Sequence, residues 1–280
     1  MFAALDDRFF SLPRPLPVLL LLLLFGGIAW AALKTRHLTP SGAAAAVIAG
    51  LCVTLPLGFG GLFLLLCFYV SSNLLGKLRK HLQKADTAFA EKKGSCRDWV
   101  QVAANGLPAA VAAVLWGMTF HTLPAVLFGA ALAEATSDTW AGEVGRLSHR
   151  APVSLRTGKP VVQGVSGGVT LLGTAASLAA SLLIALLWAL CFPGAFSLSG
   201  VLVITAAGFL GCLADSLLGA FVQALYWDED AQKYSEKPLS ADGRSLPLVQ
   251  GVRWIDNDAV NFLSNLIAVL LAWILYTIVR

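Results

Sequence analysis

Apolar positions in this chain come in long uninterrupted runs, not in alternating or one-sided stripes. Eight runs fall at about Leu16–Leu33, Pro40–Leu57, Gly61–Gly76, Trp99–Gly117, Thr122–Asp138, Gly167–Leu190, Leu198–Gln223 and Ala259–Val279. Their lengths suit helices crossing a hydrocarbon core of about 30 Å. Period-two alternation of the kind that builds membrane barrels is absent, so the pattern predicts an all-α, polytopic bundle of about eight transmembrane helices. The shortness of Gly61–Gly76 makes seven and nine the neighbouring counts. No linker divides the chain, so residues 1–280 read as one integral membrane domain.

Charge gives the runs a direction. Of the 20 Lys and Arg, 17 follow the first, third, fifth and seventh runs, whereas the turns Leu57–Gly60, Gly117–His121 and Cys191–Ser197 carry no charged residue. The positive-inside tendency makes the charged face cytoplasmic, with loops at about 77–98, 139–166 and 224–258 and both termini outside. The first loop is basic, seven positive against three negative over 76–98, and suits anionic headgroups. The last is acidic, seven against four over 223–258. Ala29-Trp30-Ala31 resembles a signal-peptidase site, but Arg8 and Arg14 are balanced by Asp6 and Asp7, so a retained first span is expected.

Composition agrees with a membrane protein: 57% hydrophobic and 13% charged, against about 25% charged in soluble domains. The net charge of +4 is not gathered into a basic, aromatic-interleaved block, so no nucleic-acid partner is expected. Five cysteines form no CxxC pair and read as small apolar side chains. Four scattered histidines do not suggest zinc.

Candidate chemistry gathers between Glu134 and Gly168. Glu134 and Asp138 are four apart and share a helix face. A carboxylate in hydrocarbon costs at least about 2.5 kcal/mol, so Glu134 must face protein or water. An internal hydrogen bond and a metal or proton site with Asp138 and Glu143 both meet that demand. Gln163-Gly164-Val165-Ser166-Gly167-Gly168 precedes the sixth run, and unshielded amides at a helix start form an anion-binding concavity. Tight helix packing is the alternative use of those glycines. Arg156 and Lys159 lie just upstream, and no Walker pattern is present. Asp215, with Gln223 two turns on, closes an apolar run. Asp258, Asn261 and Asn265 make one polar stripe, and Asn105 is a further inward amide; interhelical bonding and phosphate contact both suit them. A short echo, Ser72…Gly76, Asp138…Gly142 and Asp215…Gly219, places a polar residue four before a glycine three times. All these groups sit near one face, whereas a transporter places polar groups near the midplane.

The motifs Arg97-x-x-x-Gln101-Val102-x-Ala104-Asn105-Gly106, Ser137-Asp138-Thr139-Trp140-Ala141-Gly142-Glu143-Val144-Gly145, Gly164-Val165-Ser166-Gly167-Gly168-x-x-x-x-Gly173, Asp215-Ser216-x-x-Gly219-Ala220-x-x-Gln223 and Asn257-x-x-x-Asn261 carry a resemblance over residues 20–280. The chain resembles an integral membrane family of unknown-function domain that includes plant phytyl-phosphate kinase and a human transmembrane homologue. It departs from the family pattern at Gly142, where Ser is usual, and at Val165, where Thr is common. The resemblance implies a CTP-dependent kinase converting a membrane isoprenyl monophosphate to the diphosphate, with Mg²⁺ as cofactor and the nucleoside triphosphate as cosubstrate. On that expectation Asp138, Asp215 and Glu134 hold the metal, with Glu143 supporting. Lys159 and the stretch Gly164, Ser166, Gly167 and Gly168 hold donor phosphates, and Asn105, Arg97, Asn261, Gln223 and Asp258 orient substrate. A carrier or flippase for a lipid phosphate is the rival reading, and a purely structural membrane partner the third.

Overall fold

The computed structural model describes residues 2–82, 89–90, 96–195, 197–240 and 242–280. It is a helix bundle with one bare end and one end covered by loops and short strands. The helices are α1 (Ala3–Phe10), α2 (Leu16–Lys34), α3 (Pro40–Leu82), α4 (Trp99–Thr119), α5 (Thr122–Gly145), α6 (Leu171–Cys191), α7 (Leu198–Phe221) and α8 (Asn257–Val279).

The second and third predicted spans are two helical limbs joined end to end at a sharp kink, labelled together as α3. α3 has 43 residues, about 65 Å at 1.5 Å per residue, twice the hydrocarbon thickness. It bends at Gly58 (φ 63°, ψ −159°), just after Pro56. Ala46, Val47 and Gly50 of the first limb and Leu62, Leu66 and Tyr69 of the second line one groove, so the limbs turn back on each other. α1, which the sequence pattern did not predict, sits at this bend. Asp6 Oδ1 accepts the Phe59 N–H at 2.8 Å, capping a donor that the bend removes from its helical partner.

Among the described residues six helices are long and apolar enough to cross a membrane, α3 counting once. α5 is not one of them, yet it is the centre of the bundle. Its residues from Pro124 to Ser137 are almost continuously buried, and α3, α4, α6, α7 and α8 all pack on it. A helix walled by protein can carry acids that a lipid-facing helix cannot. With α3 crossing twice and α5 enclosed, eight crossings result, as the sequence predicted. α5 gets its close neighbours from small residues: Ala125, Ala130, Ala131 and Ala133 are fully buried, and Trp188 of α6 donates its indole N–H to Ala125 O at 2.7 Å.

Several boundaries shift. α5 continues to Gly145 instead of ending near Asp138, so the expected loop 139–166 begins at Arg146, and α6 starts at Leu171, not Gly167. α3 likewise runs through Lys77–Leu82, and residues 83–88 and 91–95 of the expected 77–98 loop, with Lys84, Lys92 and Lys93, lie outside the described residues. The loops are not featureless. β1 (Phe89–Ala90), β4 (Leu225–Asp228), β5 (Lys233–Ser235) and β6 (Leu248–Gln250) form one small sheet in the order β1-β5-β4-β6, and β2 (Val153–Ser154) pairs antiparallel with β3 (Gly168–Val169).

Candidate active site

Every helix from α3 to α8 turns a polar end toward one cavity of about 650 Å³, inside the usual range for small-molecule sites. Its floor is acidic. Asp138 of α5 and Asp215 of α7 stand within hydrogen-bonding reach of each other. Glycines let the two helices come this close: a Cβ on Gly211 would stand 2.6 Å from Glu134 Cγ, and one on Gly208 2.6 Å from Ala133 Cβ.

Glu134 lies one turn below this pair, enclosed by α8. Ser264 Oγ donates to Glu134 Oε1 at 2.7 Å and Asn265 Nδ2 to Oε2 at 2.7 Å. Asn265 Nδ2 also reaches Ala131 O at 3.0 Å, and Ser264 Oγ stands 3.2 Å from Asp215 Oδ2. The amide orientation that satisfies Asn261 has it donating to Asp215 Oδ2 at 3.2 Å and Asn257 O at 3.1 Å. The predicted α8 stripe therefore bonds the acids from beneath. Glu134, with both oxygens bonded and no place on the cavity wall, supports the acidic floor from beneath.

The opposite wall is basic. Arg36, Lys77, Arg79, Lys80, Arg97 and Arg146 all line the cavity. Arg79 Nε donates to Glu143 Oε2 at 2.6 Å, tying α3 to α5, so Glu143 lines the cavity as an ion-pair partner. Burial pulls the Arg97 guanidinium below the usual arginine range, against the opposing pull of Tyr69 and Glu143. Burial also lowers His37, followed by the positive charges of Lys77, Arg97 and Lys80. Such a wall favours a bound anion.

Between floor and wall runs the glycine loop. Gly164 and Gly167 have φ of 94° and 76°, the left-handed region that glycine tolerates. Gly167 is also pressed on α7, where a Cβ would come within 2.4 Å of Ala220 Cα. Among the described residues the N–H groups of Gly164, Ser166 and Gly167 donate to no backbone carbonyl, as a phosphate nest requires. Glu236 of the small sheet fastens this loop: its Oε1 accepts from Gln223 Nε2 at 2.9 Å and Ser166 Oγ at 3.4 Å.

Of the residues singled out from sequence, Asp138, Asp215, Glu143, Arg97, Gly164, Ser166, Gly167, Gly168, Gln223 and Asp258 line the cavity together. Asn261 touches it through Asp215. Two do not join. Lys159 is an exposed residue in the turn that closes β2, its carbonyl accepting from Ser154 N–H at 3.0 Å. Asn105 donates to Gln101 O at 3.1 Å within its own helix and lines a separate apolar groove. Arg36, Lys77, Arg79 and Lys80 line the cavity where Lys159 does not, and sequence distance hid them, since they come from the turn after α2 and from α3. The Ser72…Gly76 echo was the available signal. Ser72 and Asn73 line the same cavity as Asp138 and Asp215, and among the described residues Ser72 Oγ is buried without a partner.

The magnesium that the resemblance implies binds through one or two carboxylates, water and substrate phosphates. The Asp138–Asp215 pair fits that demand, since two adjacent enclosed carboxylates call for a shared proton or a cation. Among the described residues no three metal-ligating side chains converge, and Glu134 stands apart from the pair, bonded to α8.

The sequence matches the family described as Integral membrane protein DUF92 over residues 23–269. It is 33% identical to Protein PGR of Arabidopsis thaliana over 265 residues, covering 86% of this chain and 89% of that protein. An uncharacterized membrane protein of Methanocaldococcus jannaschii is 34% identical over 192 residues, 68% of this chain and 76% of its own. Protein VTE6, chloroplastic, of Arabidopsis thaliana is 26% identical over 248 residues, 85% of this chain and 66% of its own. No solved structure matches.

Proposed function

We propose that this chain, which belongs to the DUF92 family of integral membrane proteins, transfers a phosphoryl group from a nucleoside triphosphate to the phosphate of a membrane isoprenoid. The observation that carries the reading is the facing of the Asp138–Asp215 pair and the Arg79, Arg97 and Lys77 wall across one cavity, with the glycine loop between them. Phosphoryl transfer needs this more than it needs a strong base, because its barrier is lowered by positioning and charge neutralisation.

In this reading the Gly164, Ser166 and Gly167 amides cradle the donor phosphates, and Arg97 with the α3 cations holds the acceptor phosphate. An oxygen of the acceptor phosphate forms a bond to the donor's γ-phosphorus. The bond from that phosphorus to the bridging oxygen breaks, and the nucleoside diphosphate leaves with the electron pair. Bound at Asp138 and Asp215, Mg²⁺ would neutralise charge on the transferring phosphates. Ser264, Asn261 and Asn265 keep the acids in place. CTP as donor and a cytoplasmic site follow from the sequence resemblance and the loop charges.

Purified protein given γ-labelled CTP, Mg²⁺ and a panel of prenyl monophosphates tests the reading. Label in a lipid diphosphate is the expected result. Movement of lipid phosphate between leaflets with no diphosphate formed would replace the kinase by a carrier.

A further inference from the structure

We propose that the apolar groove between α2, α3 and α4 holds the first five-carbon unit of the phosphate acceptor's hydrocarbon chain. The inference rests on the function put forward above and assigns the part of the substrate that the polar cavity cannot hold.

The groove encloses about 130 Å³, close to the roughly 150 Å³ of an apolar cavity that takes up benzene. Its walls are carbon, among them Phe25 and Ala29 of α2, Ala46 and Leu66 of α3 and Val102 of α4. α2 forms its outer wall, and only 22% of that helix's spanning stretch is buried, with α3 as its main packing partner. The groove therefore lies on the lipid-facing flank, where a chain can pass in from the bilayer.

One end of the groove is polar. Arg97 and Gln101 line both the groove and the 650 Å³ cavity, so the two spaces meet at these side chains. Arg97 is half-buried, and among the described residues no side chain hydrogen-bonds its guanidinium. A guanidinium so placed at the mouth of an apolar groove is a strong phosphate ligand. A phosphate at Arg97 carries its first carbons directly into the groove. The volume takes one five-carbon unit and not two chains side by side, so the remaining chain stays among lipids and adds little to selection.

Farnesyl monophosphate bearing a diazirine on its first isoprene unit, irradiated with the full chain in nanodiscs and mapped by mass spectrometry, tests this. Adducts are expected on the groove residues of α2, α3 and α4. Unlabelled farnesyl monophosphate should compete them away, and two-chain phosphatidic acid should not. Ala46→Phe, which fills the groove, should lower labelling at least tenfold, while Ala31→Phe, on the exposed side of α2, should leave it. Ala29→Phe from the opposite wall makes the same test if Ala46→Phe does not fold. Adducts confined to α5–α8, adducts indifferent to competitor, or displacement by phosphatidic acid would overturn the proposal. Because labelling needs no turnover, groove adducts without phosphoryl transfer would retain the groove and reject the kinase. Transfer with adducts elsewhere would do the opposite.

Discussion

Asparagine at Asp138 or Asp215 keeps the size of the side chain and removes the charge on the cavity floor. If the pair neutralises or ligates through its carboxylates, either Asp138→Asn or Asp215→Asn lowers the transfer rate by at least about a thousandfold, roughly 4 kcal/mol of transition-state stabilisation. Steady-state kinetics on the purified variants measures this, with the thermal midpoint held near wild type as the control for folding. Ser264 behaves differently because it serves the acids instead of facing substrate. Ser264→Ala strips Glu134 Oε1 of its donor and should destabilise the protein by about 1–2 kcal/mol, read as a lower midpoint in detergent. These roles were only partly legible from the sequence. The acids and asparagines announced themselves because polar residues are rare in apolar runs. Whether Glu134 pointed into the cavity or under it depended on α8, 130 residues away in the chain.

At the scale of elements, the glycines of the acidic and glycine-rich motifs divide by what surrounds them. Gly145 and Gly173 sit where α5 and α6 cross, and a Cβ on Gly173 would come 2.8 Å from Ala141 O. Gly167 has both a positive φ and Ala220 against it. Gly167→Ala therefore costs about 1–2 kcal/mol for the backbone alone and more for the clash, and should loosen the loop enough to raise the KM for nucleotide. Gly142 is the opposite case: it lines the cavity, and a Cβ there meets nothing within 4 Å. Gly142→Ser should fold with an unchanged midpoint. The bend of α3 makes a separate prediction. Asp6→Ala leaves the Phe59 N–H without its acceptor and should lower stability by about 1 kcal/mol, with no change in KM, since α1 lies at the end away from the cavity. Hydropathy read Pro56 and Gly58 correctly as the break between two spans, but it could not reveal that α1 packs at that break. Nor could it reveal the small sheet, whose strands are two to four residues long.

For the molecule as a whole, the arrangement of charge was more legible than its partners. Loop asymmetry gathered the charged segments at one end, and the structure places the cavity there. What the linear pattern concealed was which cations face which acids. Lys159 is near the glycine loop in sequence but exposed outside the cavity, whereas Arg79 of α3 and Arg97, just before α4, line it with Asp138 and Asp215. A helix hairpin that returns α3 to the polar end does this. The result is a cavity at the rim of the bundle, joined at Arg97 and Gln101 to a groove open to lipid. This geometry suits a reaction between a water-borne triphosphate and a membrane-borne monophosphate. The stoichiometry of one incubation tests that claim most directly. With protein, CTP, Mg²⁺ and a prenyl monophosphate, mass spectrometry should find one lipid diphosphate formed for each nucleoside diphosphate released. Nucleoside diphosphate released with inorganic phosphate and unchanged lipid, or no consumption of nucleotide at all, would contradict it.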